Sequence, residues 1–177
     1  MKKYFIILFY IGLLLLIVFS QLSLINPGPY FLSRINIVLL ALILFLFFLD
    51  LKLVVMLALA LGFLVDIFSF QLFGFYGLTL FLTVFFADAL LANWFTNRSA
   101  YSFLALTFFT TLFYNFVLYF LFYLSDFLSD QGFFLWQANF WSGLGLELVW
   151  NLGLIFAFFW VMNLTTTRLK PVFLDKR

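Results

Sequence analysis

The chain has 177 residues, of which 67% are hydrophobic and 9% charged; its net charge is +2 and its mean hydropathy +1.22. A water-soluble domain carries about a quarter charged residues and has no means of hiding this much apolar surface, so a soluble fold is excluded. Cysteine and histidine are both absent, which removes disulfides, thiol nucleophiles and thiolate metal sites together with the commonest general base and pH switch. No cofactor or metal is expected. The small positive charge suits anionic headgroups; a nucleic-acid partner, which needs a basic patch or stripe, is not expected.

Six apolar runs are long enough to cross ~30 Å of hydrocarbon at ~1.5 Å per residue, near residues 4–22, 32–49, 53–70, 75–94, 101–124 and 140–162. The first follows Lys2-Lys3 and ends in Phe19-Ser20-Gln21-Leu22-Ser23, which lacks a small-x-small cleavage site; an uncleaved signal anchor is expected. The next gap carries Asn26-Pro27-Gly28-Pro29, a rigid turn. Arg34 falls just inside the second run, where its long stem can snorkel to headgroups. Asp50-Leu51-Lys52 reads as a tight hairpin, residues 71–74 as an uncharged turn, and residues 95–100 as a short basic gap containing Arg98. Residues 125–139 form the longest gap and carry Asp126, Asp130 and Trp136 without Lys or Arg. Trp94, Trp136 and Trp160 fall at the ends of runs, where indoles anchor helices to headgroups.

Of the nine Lys and Arg, all but Arg34 lie at the chain ends or in every second gap. Cytoplasmic loops keep basic residues and translocated loops lose them. The reading is a single-domain, all-α integral membrane protein of six transmembrane helices with both termini in the cytoplasm.

Three carboxylates fall inside the runs: Asp66, Asp88 and Glu147. Each costs roughly 2.5–3.5 kcal/mol to place centrally in a bilayer on an insertion scale. After folding each must be hydrogen-bonded, protonated or wet. Ala58, Gly62 and Asp66 repeat at i, i+4, i+8, one stripe of a helix, and Gly143, Glu147 and Asn151 repeat the arrangement on the last run. Thr107, Thr111 and Asn115 make a polar stripe on the fifth run. Counting ~1.5 Å per residue puts Asp66, Asn115 and Glu147 in one layer, ~20 Å from the cytoplasmic side, and Asp88 in the inner third. A buried hydrogen-bonded cluster of Asp66, Asn115 and Glu147 is expected. It admits two uses, glue between helices or the handling of a proton or substrate.

Residues 62–74 read Gly-Phe-Leu-Val-Asp-Ile-Phe-Ser-Phe-Gln-Leu-Phe-Gly. A Gly, an Asp four residues on and a Gly eight residues further resembles the bacterial rod shape-determining protein family MreD. The six-run plan, the short basic gap after the fourth run, and a last run bearing Trp and Asn before a basic tail are also similar to that family. The resemblance implies a fold like that of the substrate-binding components of energy-coupling-factor vitamin importers. It also implies a non-enzymatic subunit of the cell-elongation machinery that binds the membrane-anchored protein MreC. The further partners it implies are the glycosyltransferase RodA, a class B penicillin-binding protein and, indirectly, the cytoskeletal protein MreB. Only Gly62, Asp66 and Gly74 carry over by position.

The leading expectation is thus a membrane scaffold, with Asp126, Asp130 and Trp136 as candidate partner contacts in the outer loop. The alternative is a vitamin-binding importer component, which needs convergent polar groups near the outer face. An ion or proton transporter would want broken spans and basic partners for its acids. An enzyme has no nucleophile–base or metal constellation to draw on.

Overall fold

The computed structural model describes residues 12, 15–25, 30, 33–69, 73–94, 100–128 and 140–166. Residues 15–25 are helical (α1) and close in a π-helical segment, Ser20–Ile25. There follow α2 (Ile37–Phe48), α3 (Leu51–Phe68), α4 (Phe75–Asn93), α5 (Ala100–Leu128) and α6 (Phe140–Thr166). No strand occurs among the described residues.

Four of these helices are long and apolar enough to cross a membrane, over Leu51–Phe68, Phe75–Asn93, Tyr101–Ser125 and Trp141–Val161. Their surfaces are turned inside out relative to a soluble bundle. On α6 the residues facing inward are Gly143, Glu147, Asn151 and Ile155, a single i, i+4 stripe. Val149, Phe156, Trp160 and Val161 of the same helix face outward and are more than half exposed. Water would penalise that arrangement and lipid does not. On α3 the stripe Val54, Ala58, Leu61, Gly62, Val65 and Asp66 is buried, while Met56, Phe63 and Ile67 face out.

α2 departs from the expected span at 32–49. It has 12 residues, about 18 Å of helix, too short to cross the hydrocarbon alone. It starts late because Ser33 and Arg34 form a turn and the Asn36 side chain caps the helix, accepting from Leu39 N at 3.0 Å. It touches α3, α4 and α5 and is apolar on all sides, with Leu39, Leu42 and Ile43 almost wholly buried. α2 is the central helix of the bundle. The turn expected at Asp50-Leu51-Lys52 is also shorter than its sequence indicates: Asp50 is the N-cap and Leu51 already belongs to α3. At its other end α5 runs through Leu128, so Asp126 belongs to helix and not to the loop expected at 125–139.

Bulky rings fasten the outer helices. Phe86 of α4 stacks on Phe113 of α5 with centroids 4.1 Å apart, and Phe103 of α5 meets Phe159 of α6 edge-on at 4.6 Å. Such pairs contribute about 0.5–1.5 kcal/mol beyond their buried area.

Candidate functional site

Polar side chains gather at two places. The first is the junction of α3 and α4. α4 begins at Gly74, whose φ of 97° is left-handed. A side chain there would meet nothing within 4 Å, so backbone conformation and not space calls for glycine. The turn aims the first N–H groups of α4 back at α3. Asp66 meets them with both oxygens: Tyr76 N donates to Oδ1 at 3.0 Å and Gly77 N to Oδ2 at 2.9 Å. Counted from the Gly74 cap, these are the second and third residues of α4, whose donors have no partner in their own helix. Asp66, 4% exposed, therefore caps α4 from the neighbouring helix and sits at the positive end of its dipole.

The approach that makes this possible depends on two glycines. A Cβ on Gly62 would collide with Gly77 Cα and come within 2.9 Å of Gly77 N, so the two backbones are in contact. A Cβ on Gly77 would lie 3.2 Å from Asp66 Oδ2. Gly77 was not singled out from the sequence; its spacing of three residues from Gly74, at the start of an apolar run, was the available signal. Ser69 completes the joint by donating to Asp66 O at 3.3 Å.

The second place is a seam between α5, α6 and the segment before α2. Asn115 Nδ2 donates to Glu147 Oε2 at 3.0 Å and to Thr111 O at 2.9 Å. One turn along, Asn151 Nδ2 donates to Thr111 Oγ1 at 3.4 Å, and Asn151 Oδ1 accepts from Asn36 N at 3.3 Å. Gln21 of α1 clamps the same segment, donating to Ile35 O and accepting from Ile37 N, both at 2.8 Å. The polar stripes on α5 and α6 thus meet along their length. Asn151 and Gln21 hold the start of α2.

The expected cluster of Asp66, Asn115 and Glu147 is thereby divided. Asn115 and Glu147 are joined; the hydrogen bonds of Asp66 go to α4. Tyr114 stands between the two groups, within interaction range of Asp66, Tyr76 and Glu147. Asp88, half-buried, lies eleven residues beyond Gly77 on α4, ~16 Å away along the axis, and belongs to neither group. Asp130 and Trp136 lie outside the described residues, as does the side chain of Asp126.

Arg34, expected from its position to snorkel toward headgroups, lies against another helix. Its guanidinium rests on α6 at Gly143, where a Cβ would stand 2.9 Å from Nη1 and 3.0 Å from Cζ. The Tyr30 ring centroid is 4.9 Å from Cζ. Arg34 and the Asn36 side chain both lie within interaction range of Glu147.

A bundle with lipid-compatible outer faces and two internal polar joints defines a multi-pass α-helical membrane protein. Compared with protein-family models, curated proteins and solved structures, the chain gives no match. Among the described residues no group of His, Cys, Asp and Glu is arranged to hold a metal ion.

Proposed function

We propose that the chain is a non-enzymatic scaffold of the bacterial cell-elongation complex, of the MreD kind. It would be threaded six times through the cytoplasmic membrane with both termini inside, and would hold an MreC-like partner beside RodA, a class B penicillin-binding protein and, indirectly, MreB. The observation that carries the reading is the behaviour of Gly62, Asp66 and Gly74. These three positions, on which the resemblance rests, act as one mechanical unit. Gly74 turns the chain, Gly62 admits the returning backbone, and Asp66 caps the helix that results. A rigid hairpin of this kind suits a protein that presents a fixed helical surface within the bilayer. The sixfold threading rests on the alternation of basic residues along the chain.

The vitamin-importer reading is favoured by one feature, the convergence of Arg34, Asn36, Asn115 and Glu147 between the middle of α5 and the first turns of α6. Affinity purification from detergent-solubilised membranes separates the two. The scaffold reading expects an MreC-like protein to come down with the chain, and expects Asp66→Ala to lose both that partner and rod-shaped growth at normal expression. Recovery of an ATPase module, with normal shape in the Asp66→Ala cells, would contradict it.

A further inference from the structure

We propose that Arg34 and Glu147 frame a binding site for a zwitterionic group carrying a phosphate and a primary ammonium, the chemistry of a phosphoethanolamine headgroup.

Arg34 is held but unsatisfied. Gly143 lets the guanidinium lie against the α6 backbone and Tyr30 packs beside it. A guanidinium has five N–H donors. Among the described residues, Arg34 makes one hydrogen bond, to Tyr30 Oη, at a long 3.5 Å. Its remaining donors are available in a fork that matches phosphate oxygens two at a time.

Glu147 is held in the same fashion. It is 9% exposed, and Asn115 fixes Oε2 at 3.0 Å. The Asn36 side chain is a second donor within its reach, and a carboxylate offers about four acceptor sites, so two donors leave acceptor capacity. Gly143 and Glu147 are one turn, ~6 Å, apart on one face of α6, so the guanidinium seated at Gly143 and the carboxylate share that face. Each acts electrostatically on the other, yet no ion pair joins them among the described residues. In a low-dielectric setting opposite charges so placed attract strongly. Here separate anchors, Gly143 and Tyr30 for one and Asn115 for the other, keep them apart.

Two opposite charges on one face, within a turn of each other, complement a ligand with the same charges in reverse. The phosphate would take the Arg34 fork and the ammonium would donate to the acceptor sites that Asn115 and Asn36 leave on Glu147. Ligand and site are each neutral overall, so binding adds no net charge to the bilayer. Tyr30, half exposed beside Arg34, opens that end to the surroundings. The same chemistry gives a reason for Arg34 to stand beside one of the alternate gaps, from which basic residues are otherwise missing. The inference does not depend on the scaffold reading.

The test uses the full chain in nanodiscs of phosphatidylethanolamine, phosphatidylcholine or phosphatidylglycerol. Lipid retained after stepwise delipidation is measured by native mass spectrometry. Retention of phosphatidylethanolamine is expected to exceed that of the other two by about tenfold, the worth of one charge-assisted hydrogen bond. Phosphatidylcholine has the phosphate but no N–H, and phosphatidylglycerol has no ammonium. Arg34→Gln and Glu147→Gln should each abolish the preference. Gly143→Ala, which leaves both charges in place and only displaces the guanidinium, should abolish it too in protein that still melts cooperatively. Soluble glycerophosphoethanolamine competing for the site would identify the free headgroup as sufficient. Failure to compete, with the preference intact, would assign the site to the lipid. A preference that survives loss of either charge, or equal retention of phosphatidylglycerol, would overturn the proposal.

Discussion

The two polar joints are built from the same sequence element, a glycine followed four residues later by an acid, and use it in opposite ways. At Gly62 and Asp66 the space above the glycine is filled by the backbone of α4, and the acid satisfies that backbone's N–H groups. At Gly143 and Glu147 the space is filled by the end of a flexible side chain, Arg34, and the acid is held by another side chain, Asn115. A backbone cannot step aside, and a guanidinium can. The comparison teaches that a small-residue stripe ending in a carboxylate specifies close approach without specifying what approaches.

The largest effect should fall on Gly62. Gly62→Leu is expected to abolish folding. Gly62→Ala should destabilise by about 3 kcal/mol, at the top of the usual overpacking range, because the atoms it meets are main chain. Denaturant titration of the detergent-solubilised protein, followed by helical circular dichroism, measures both. A loss below about 1 kcal/mol for Gly62→Ala would mean the backbones are not in contact.

Asp66→Ala should come next, at about 3 kcal/mol, since it removes two charge-assisted bonds at a helix N-terminus. Asp66→Asn keeps one acceptor and should lose about half of that. Hydrogen exchange offers a local reading: the amides of Tyr76 and Gly77 should lose protection in Asp66→Ala while those of α6 keep theirs.

At the seam the expected losses are smaller. Asn115→Ala leaves the inner oxygen of Glu147 without its donor and should cost about 2 kcal/mol. Glu147→Gln retains a carbonyl acceptor and should cost less than about 1 kcal/mol. The same titration checks both, and the order Asn115→Ala above Glu147→Gln is the informative outcome. Gly143→Ala should be mildest, below about 1 kcal/mol, because Arg34 can swing away. A loss equal to that of Gly62→Ala would erase the contrast between the two glycines.

Much of this is legible in the sequence alone. Hydrophobic runs located α3 to α6 to within a few residues, because lipid demands long uninterrupted apolar helices. The i, i+4 spacing identified the inward stripes on α3, α5 and α6, since helical period alone fixes which residues share a face. Depth along the helix, however, does not give the direction in which a face points. Asp66 and Glu147 were therefore expected together, and their hydrogen bonds go to different helices. The late start of α2 was hidden by the apolar Leu32 and Ile35 on either side of the Ser33–Arg34 turn, although Asn36 before an unbroken apolar run is a capping signal. Ser125 and Asp126 read as loop because they are polar; a membrane helix can run past the hydrocarbon edge, where polar residues carry no penalty. Gly77 escaped because its local signal, the spacing from Gly74, does not show that its neighbour comes from another helix.

The separateness of the two joints is best measured by a double-mutant cycle on Asp66→Asn and Glu147→Gln, with unfolding free energy as the readout. Two sites whose hydrogen bonds share no partner should add to within about 0.5 kcal/mol. A coupling above about 1 kcal/mol would place both acids in a single network and contradict the division described here.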